Sequence, residues 1–153
     1  MKLILVSDSH GNKAGIDRIF NTLQFDYLFF MGDGLGDIGD YSYLENVYMV
    51  CGNCDFFSKE VVEREIEISG YKIFMTHGHK YGVKMGLSKL IEKAKEIGAN
   101  IVFYGHTHIQ KVEKIDGIYF INPGKFFKDA SGRYRGLQVE LFEKDIKVTE
   151  IFI

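Results

Sequence analysis

Proline occurs once in these 153 residues, at Pro123, and no low-complexity tract, internal repeat or linker-like stretch interrupts the chain. With nothing to divide it, the length predicts one domain over residues 1–153, burying about 70% of the surface its unfolded chain exposes. Charge of one sign is also scarce. The 19 Lys and Arg against 21 Asp and Glu leave a formal net charge of −2, which gives no electrostatic footprint for nucleic acid or an anionic membrane. No apolar run approaches about 18 residues, the length of a membrane-spanning helix. The opening Met1–Val6 turns polar at Ser7-Asp8, too early for a secretory signal peptide, so a cytoplasmic location is expected. Cysteine is limited to Cys51 and Cys54, expected as reduced thiols in that compartment. What remains, 46% hydrophobic and 26% charged residues, is the balance of an ordinary globular protein.

Histidine is also sparse, and its placement is the strongest signal. The five histidines are His10, His77, His79, His106 and His108. Each follows a run rich in β-branched or aromatic residues, and none falls on a segment with helical periodicity. The organising stretch is Tyr104-Gly105-His106-Thr107-His108, directly after Ile101-Val102-Phe103, a buried strand by pattern. Gly105 is expected to free the backbone for a sharp exit. In open α/β sheets ligands bind outside such strand ends.

The same punctuation recurs along the chain. Leu3–Val6 ends in Ser7-Asp8-Ser9-His10. Tyr27–Met31 ends in Gly32-Asp33, followed by a glycine-rich loop carrying Asp37 and Asp40. Val47–Val50 ends in Cys51-Gly52-Asn53-Cys54-Asp55. Tyr71–Met75 ends in Thr76-His77-Gly78-His79. Helices are expected over Ala14–Leu23 and Leu87–Ile97, the second stopped by Gly98. Hairpins are expected at Ser69-Gly70, at Asp116-Gly117 and around Glu143–Asp145. Two helices cannot cover both faces of some ten strands. The expected class is therefore α/β (α+β): two mixed β-sheets packed face to face with helices outside, a four-layer αββα sandwich.

The strand-end groups are Asp8, His10, Asp33, Asn53, His77, His106 and His108. Imidazoles, carboxylates and one amide suit Mn, Ni, Co, Fe or Zn better than Ca or Mg. Seven ligands exceed what one ion with an open position needs and suit two ions. Two adjacent ions clamp a phosphate and generate hydroxide near neutral pH.

As an ordered set, Asp8-x-His10, Gly32-Asp33, Gly52-Asn53, the His77 segment and Gly105-His106-x-His108 resemble the calcineurin-like metallophosphoesterases, and in particular their small single-domain bacterial and archaeal phosphodiesterases. The resemblance spans Leu3 to about Gly136. It implies a dinuclear phosphodiesterase acting on small phosphate esters. One ion would take Asp8, His10 and His108, the other Asn53, His77 and His106, with Asp33 bridging. Mn²⁺ or Ni²⁺ are the expected ions, with Co²⁺, Fe²⁺ and Zn²⁺ as alternatives, and a bridging hydroxide would attack phosphorus in line.

The chain departs from the resemblance at three places. Cys54 stands where many larger relatives have the histidine that protonates the leaving group. A thiol donates hydrogen bonds poorly, so Cys54 and His79 are both candidates for the catalytic acid, beside Asn53. Asp37 is one residue further from Asp33 than is common, and Lys125 follows Asn122-Pro123-Gly124 where small relatives usually have Ser.

Two rival readings stand beside the enzyme. Cys51-x-x-Cys54 would be a redox pair only in a thioredoxin-like context with a following helix. A partner-holding scaffold, similar to the retromer's metallophosphoesterase-like subunit, would use Phe56, Phe57, Phe126 and Phe127 as an interface. The same aromatics would serve a homo-oligomer contact or wall a substrate cleft. The full set of seven ligands favours the enzyme.

Overall fold

The computed structural model describes residues 1–153. Lys2–Val6 (β1) is the central strand of the first sheet. Its apolar run leaves no polar side chain for water, and Leu3 to Val6 are buried on both faces. Tyr27–Phe30 (β2) and Val47–Met49 (β3) lie beside it in parallel. Arg135–Leu141 (β9) and Ile146–Phe152 (β10) complete that sheet antiparallel on the other side, in the order β10-β9-β1-β2-β3.

The second sheet also has five strands. Glu63–Ile68 (β4) pairs antiparallel with Tyr71–Thr76 (β5) through the Ser69-Gly70 turn. Ile101–Phe103 (β6) and Ile118–Pro123 (β8) run parallel to β5, and Gln110–Ile115 (β7) closes the edge antiparallel to β8 through Asp116-Gly117. Both sheets are mixed, as the sequence pattern required.

The inner faces share one core. Leu3, Leu5, Phe29 and Met31 from the first sheet meet Ile73, Met75, Ile101 and Phe103 from the second. Phe29 sits edge-on to Phe103 with ring centroids 4.9 Å apart, so Phe29→Ala would open the inter-sheet core at a cost of about 3–5 kcal/mol. Lys13–Thr22 (α1) packs Ile16 and Ile19 on the outer face of the first sheet, against Ile4, Val6, Leu28 and Phe30. Ser88–Ile97 (α3) packs Leu90 and Ala94 on the outer face of the second, against Phe74, Val102 and Phe120. The result is the αββα order of layers. No helix is long and apolar enough to cross a membrane.

Three details differ from the sequence reading. The glycine-rich segment after β2 is not all loop: Leu35–Ile38 forms a short helix (α2) continued by a 3-10 turn over Gly39–Tyr41. Its Ile38 is buried in the first sheet's outer cluster, so tertiary burial overrides the weak helix propensity of glycine. His79 opens a 3-10 turn, His79–Tyr81. Phe126, expected among the exposed aromatics, is buried and stacks on Tyr134 with centroids 5.1 Å apart; Phe56, Phe57 and Phe127 are exposed.

Candidate metal centre

The C-terminal ends of β1, β2 and β3 in one sheet and of β5 and β6 in the other come out at the same end of the sandwich. Backbone bonds tie their loops together. Asp8 N–H donates to the Gly32 carbonyl at 2.9 Å and His10 N–H to the Asp33 carbonyl at 3.2 Å. In the second sheet Gly105 N–H donates to the His77 carbonyl at 3.0 Å. Across the gap His106 N–H donates to Asp8 Oδ2 at 3.1 Å, so the two sheets are joined at the centre itself. All seven strand-end residues named from the sequence converge here.

Convergence is bought with backbone strain. Asp8, His10, Asp33, His106 and His108 have φ of 54°, 43°, 58°, 68° and 62°, the left-handed region that costs a residue with a Cβ about 1 kcal/mol or more. The sharp exit after β6 is therefore made by the two histidines. Gly105 serves a different purpose from the one expected of it: a Cβ there would stand 2.0 Å from Ser7 Oγ and 2.9 Å from Asp8 Oδ2. Gly52 likewise yields its space, since a Cβ would fall 2.1 Å from Asp33 Oδ1. Each glycine lets a backbone lie against a neighbouring carboxylate.

The polar atoms face one another in a way that calls for a cation. Asp8 is buried; its Oδ2 accepts from Ser7 Oγ and His106 N–H, while Oδ1 has no hydrogen-bond partner. Around that orphaned oxygen stand His108 Nε2 at 3.1 Å, His10 Nε2 at 3.9 Å and His77 Nε2 at 3.9 Å. His77 Nδ1 lies 2.6 Å from the Met31 carbonyl, which can only accept. This fixes Nδ1 as the protonated nitrogen and turns the Nε2 lone pair inward. Facing Nε2 are Asn53 Oδ1 at 3.1 Å, His106 Nδ1 at 3.2 Å and Asp33 Oδ2 at 3.3 Å. In the neutral ring that lone pair faces two acceptor oxygens, a repulsive arrangement unless positive charge is supplied, by a proton on Nε2 or by a cation. The donor set fits divalent metal.

Two overlapping groups result. Ligand atoms of Asp8, His10 and His108 lie within 4.8 Å of one another, as do those of Asp33, His77 and His106. Asp33 Oδ2 is 3.9 Å from His10 Nε2 and 3.3 Å from His77 Nε2, reaching toward both. A third group, His10, Asp33 and Cys54, meets the same spacing.

Burial and neighbouring charge set how these groups titrate. Burial works against ionised Asp33, but hydrogen bonds from His77 and from Cys54 N–H outweigh it and hold the carboxyl well below its usual range. His106 is pushed down to about 4, by burial first and then by His77 and Lys84, leaving a neutral imidazole. Burial also favours neutral His77, but Asp33 and Asp8 overcome it and raise its pKa, the response of a ring surrounded by anions.

Cys54 is exposed and Cys51 half-buried, and both are free thiols. A turn and then a strand follow them rather than a helix, so the thioredoxin-like context is missing. Burial first, then Asp33, raises the Cys54 pKa and keeps it a thiol. His79 stands just behind the centre, its ring 5.4 Å from that of His77 and 6.1 Å from that of His106, with Nδ1 buried and unpartnered. Asp37 is structural. Its Oδ2 accepts from Ser9 Oγ at 2.5 Å and from Gly11 N–H at 2.9 Å, bracing the Asp8–His10 turn. Lys125 is half-buried, and its backbone N–H donates to the His108 carbonyl at 3.3 Å.

Two supporting residues were not among the proposed site residues. The Asp55 carboxylate accepts four backbone N–H groups: Asp33 at 2.7 Å, Gly34 at 2.8 Å, Leu35 at 2.9 Å and Gly52 at 2.8 Å. It locks the Asp33 and Asn53 loops to each other. Buried Asn122 donates to the Gly105 carbonyl at 3.0 Å and Thr107 Oγ1 at 2.9 Å, holding the His106-x-His108 turn. The only hint of Asp55 was an acidic residue two past Asn53.

Known proteins share this arrangement. The profile of the calcineurin-like phosphoesterase superfamily domain matches residues 1–140. A probable metallophosphoesterase of Bacillus subtilis, YsnB, is 29% identical over 154 residues, covering 99% of this chain and 90% of that protein. The phosphodiesterase MJ0936 of Methanocaldococcus jannaschii is 31% identical over 146 residues, covering 82% of this chain and 84% of its own length. The crystal structure of a predicted phosphoesterase from Streptococcus pneumoniae superposes with a TM-score of 0.85 at 27% identity, covering 99% of this chain and 88% of that one. With its profile matched over nearly the whole length and its candidate ligand atoms gathered at one end of the sandwich, the chain belongs to the calcineurin-like phosphoesterase superfamily, hydrolases that work with divalent metal ions.

Proposed function

We propose that this protein is a dinuclear metal-dependent phosphodiesterase acting on small phosphodiesters. The observation that carries the reading is Asp8 Oδ1, buried, without a hydrogen bond and faced by three imidazole nitrogens. A scaffold that merely held a partner would gain from satisfying or deleting that oxygen. Asp8, His10 and His108 would hold one ion and Asn53, His77 and His106 the other, with Asp33 shared. Two bound divalent ions, Mn²⁺ or Ni²⁺ by donor type, would supply a water ionised near neutral pH and neutralise charge on the phosphoryl oxygens.

The chain's own residues set the rest. Met31 and Asp55 orient the ring and loops that carry His77, Asp33 and Asn53. Asn53 also offers an amide Nδ2, now directed at Cys54 Sγ at 3.5 Å, for a phosphoryl oxygen. Cys54 occupies the position of the leaving-group acid, and a thiol is a weak donor there. Aryl diesters, whose alcohols leave without a proton, should therefore be hydrolysed faster than alkyl monoesters, unless His79 supplies the proton.

The test is chelation followed by reloading with Mn²⁺, Ni²⁺, Co²⁺, Zn²⁺ or Mg²⁺ and assay on a panel of phosphomonoesters and diesters. Activity should vanish on chelation and return with Mn²⁺ or Ni²⁺, with aryl diesters first. Equal turnover with and without metal ends the proposal.

A further inference from the structure

Beside the centre, on the outer face of the second sheet, lies a groove with a volume of about 730 Å³. It runs between the segment before α3 and strand β7. Val83, Leu87, Ile91 and Ile115 give it apolar walls, and Tyr104 at the end of β6 lines its floor. Met85 and Ile109 stand at its mouth, 94% and 68% exposed. It adjoins the metal-centre loops at two points. Thr107, between His106 and His108, belongs to its lining. Val83 packs against Gly78, between His77 and His79, so closely that a Cβ on Gly78 would fall 2.8 Å from Val83 Cγ2.

The polar groups are few and specific. Lys111, Glu113 and Ile115 share the groove face of β7, as alternate residues of a strand do. Glu113 Oε1 pairs with Lys111 Nζ at 3.0 Å, but Oε2 is buried without any partner. A buried acceptor left unpaired is costly and calls for a donor. Lys84 and Lys111 supply positive charge along the groove. Apolar walls with one or two convergent polar atoms are the make-up of a small-molecule site. From Gln110, where β7 starts beside the His108 turn, to Glu113 the strand rises about 10 Å.

We propose that this groove binds the organic group of the phosphoester: a flat, largely apolar ring bearing an amino group that donates to Glu113 Oε2. The proposal rests on the phosphoesterase reading for the word phosphoester and on the groove alone for the ring and its amine. The phosphate would sit at the metal centre and the amino group at Glu113, about 10 Å along β7 from the start of the strand at Gln110. That separation requires a spacer as large as a sugar or second ring and excludes small alkyl esters from the full set of contacts.

Adenosine and purine riboside, which differ by one amino group, are the probes. They need no hydrolysis to report binding. Adenosine should shift the Met85 methyl resonance and bind at least tenfold more tightly than purine riboside by calorimetry. Glu113→Leu removes the unpaired oxygen, so the variant should fold with an unchanged or higher Tm while losing the tenfold margin. A margin that is absent in the parent, or that survives in Glu113→Leu, or a Met85 methyl that does not move, overturns the groove. With bis(4-nitrophenyl) phosphate as substrate, adenosine should raise KM and leave kcat unchanged; inhibition that lowers kcat alone overturns the placement of the substrate's organic group. Nucleoside binding without any metal-dependent hydrolysis would instead remove the phosphoesterase reading, and hydrolysis without nucleoside selectivity would remove the groove only.

Discussion

The two ends of the sandwich use the same backbone conformation for opposite reasons. At the end away from the metal centre, Ser69-Gly70 and Asp116-Gly117 have φ of 52° and 80°, and of 50° and 82°. These are two-residue hairpin turns, and glycine second with a small polar residue first tolerates the left-handed region at little cost. At the other end, beside left-handed glycines such as Gly32 and Gly78, the left-handed residues include two aspartates and three histidines, in positions where nothing but their side-chain atoms recommends them. The turns are shaped for the fold. The centre is shaped against it, and its strain is offset by Asp55, Asn122, Asp37 and the core beneath.

The largest effect should come from Asp33→Asn, because Asp33, whose Oδ2 lies 3.9 Å from His10 Nε2 and 3.3 Å from His77 Nε2, is the ligand proposed to serve both ions. A fall in kcat of about a thousandfold is expected, with metal content dropping below two ions. Two metals and full turnover in that variant would dismiss the shared-ligand assignment.

Next is Asp55→Ala, which strands four backbone N–H groups. A loss of about 3 kcal/mol or more is expected from urea unfolding. If the urea midpoint barely moves, the clamp does not hold these loops.

A smaller effect contrasts the two ends directly. His108→Gly relieves a left-handed histidine, so the metal-free protein should gain about 0.5–1 kcal/mol while losing affinity for metal. Asp116→Gly, in a turn already suited to φ above zero, should change stability by less than about 0.5 kcal/mol. Similar responses at both positions in thermal unfolding would erase the distinction between the ends.

The smallest effect is a pH control away from the strained turns. Burial, and then a hydrogen bond to Glu63 Oε2 at 2.7 Å, raise the Tyr81 pKa well above its usual value. Because the folded pKa lies above the unfolded one, the stabilisation is complete below about pH 10 and is lost as the pH rises beyond it. Urea midpoints should fall from pH 10 to 12, and Tyr81→Phe should flatten that fall; an equal slope in both proteins would remove Tyr81 as the cause.

Much of this molecule was legible before any coordinates. Strands such as Leu3–Val6 and Ile101–Phe103 announce themselves as short apolar runs, and Asp116-Gly117 names its own turn. The seven strand-end residues were legible because topology, rather than packing detail, brings parallel strand ends together. Asp55 and Asn122 were not, since a carboxylate or amide that binds backbone at a distance leaves no period and no motif in the sequence. Phe126 looked exposed beside Phe127, but its backbone N–H bonds the Ser7 carbonyl and its ring is drawn under Tyr134. The helix at Leu35–Ile38 was hidden by the glycines around it.

The strand order has a consequence for how the protein is made. β1 is flanked by β2, some 25 residues away in the chain, and by β9, whose Val139 pairs with Leu3. Every proposed ligand, from Asp8 to His108, therefore emerges from the ribosome before the strand that closes one side of β1. For that interval the first sheet has an open edge at its centre, and Asp8 and His10 hang from a strand paired on one side only. Only when the β9–β10 hairpin docks is the first sheet complete, so β1 gains its second neighbour after every proposed ligand has already been made.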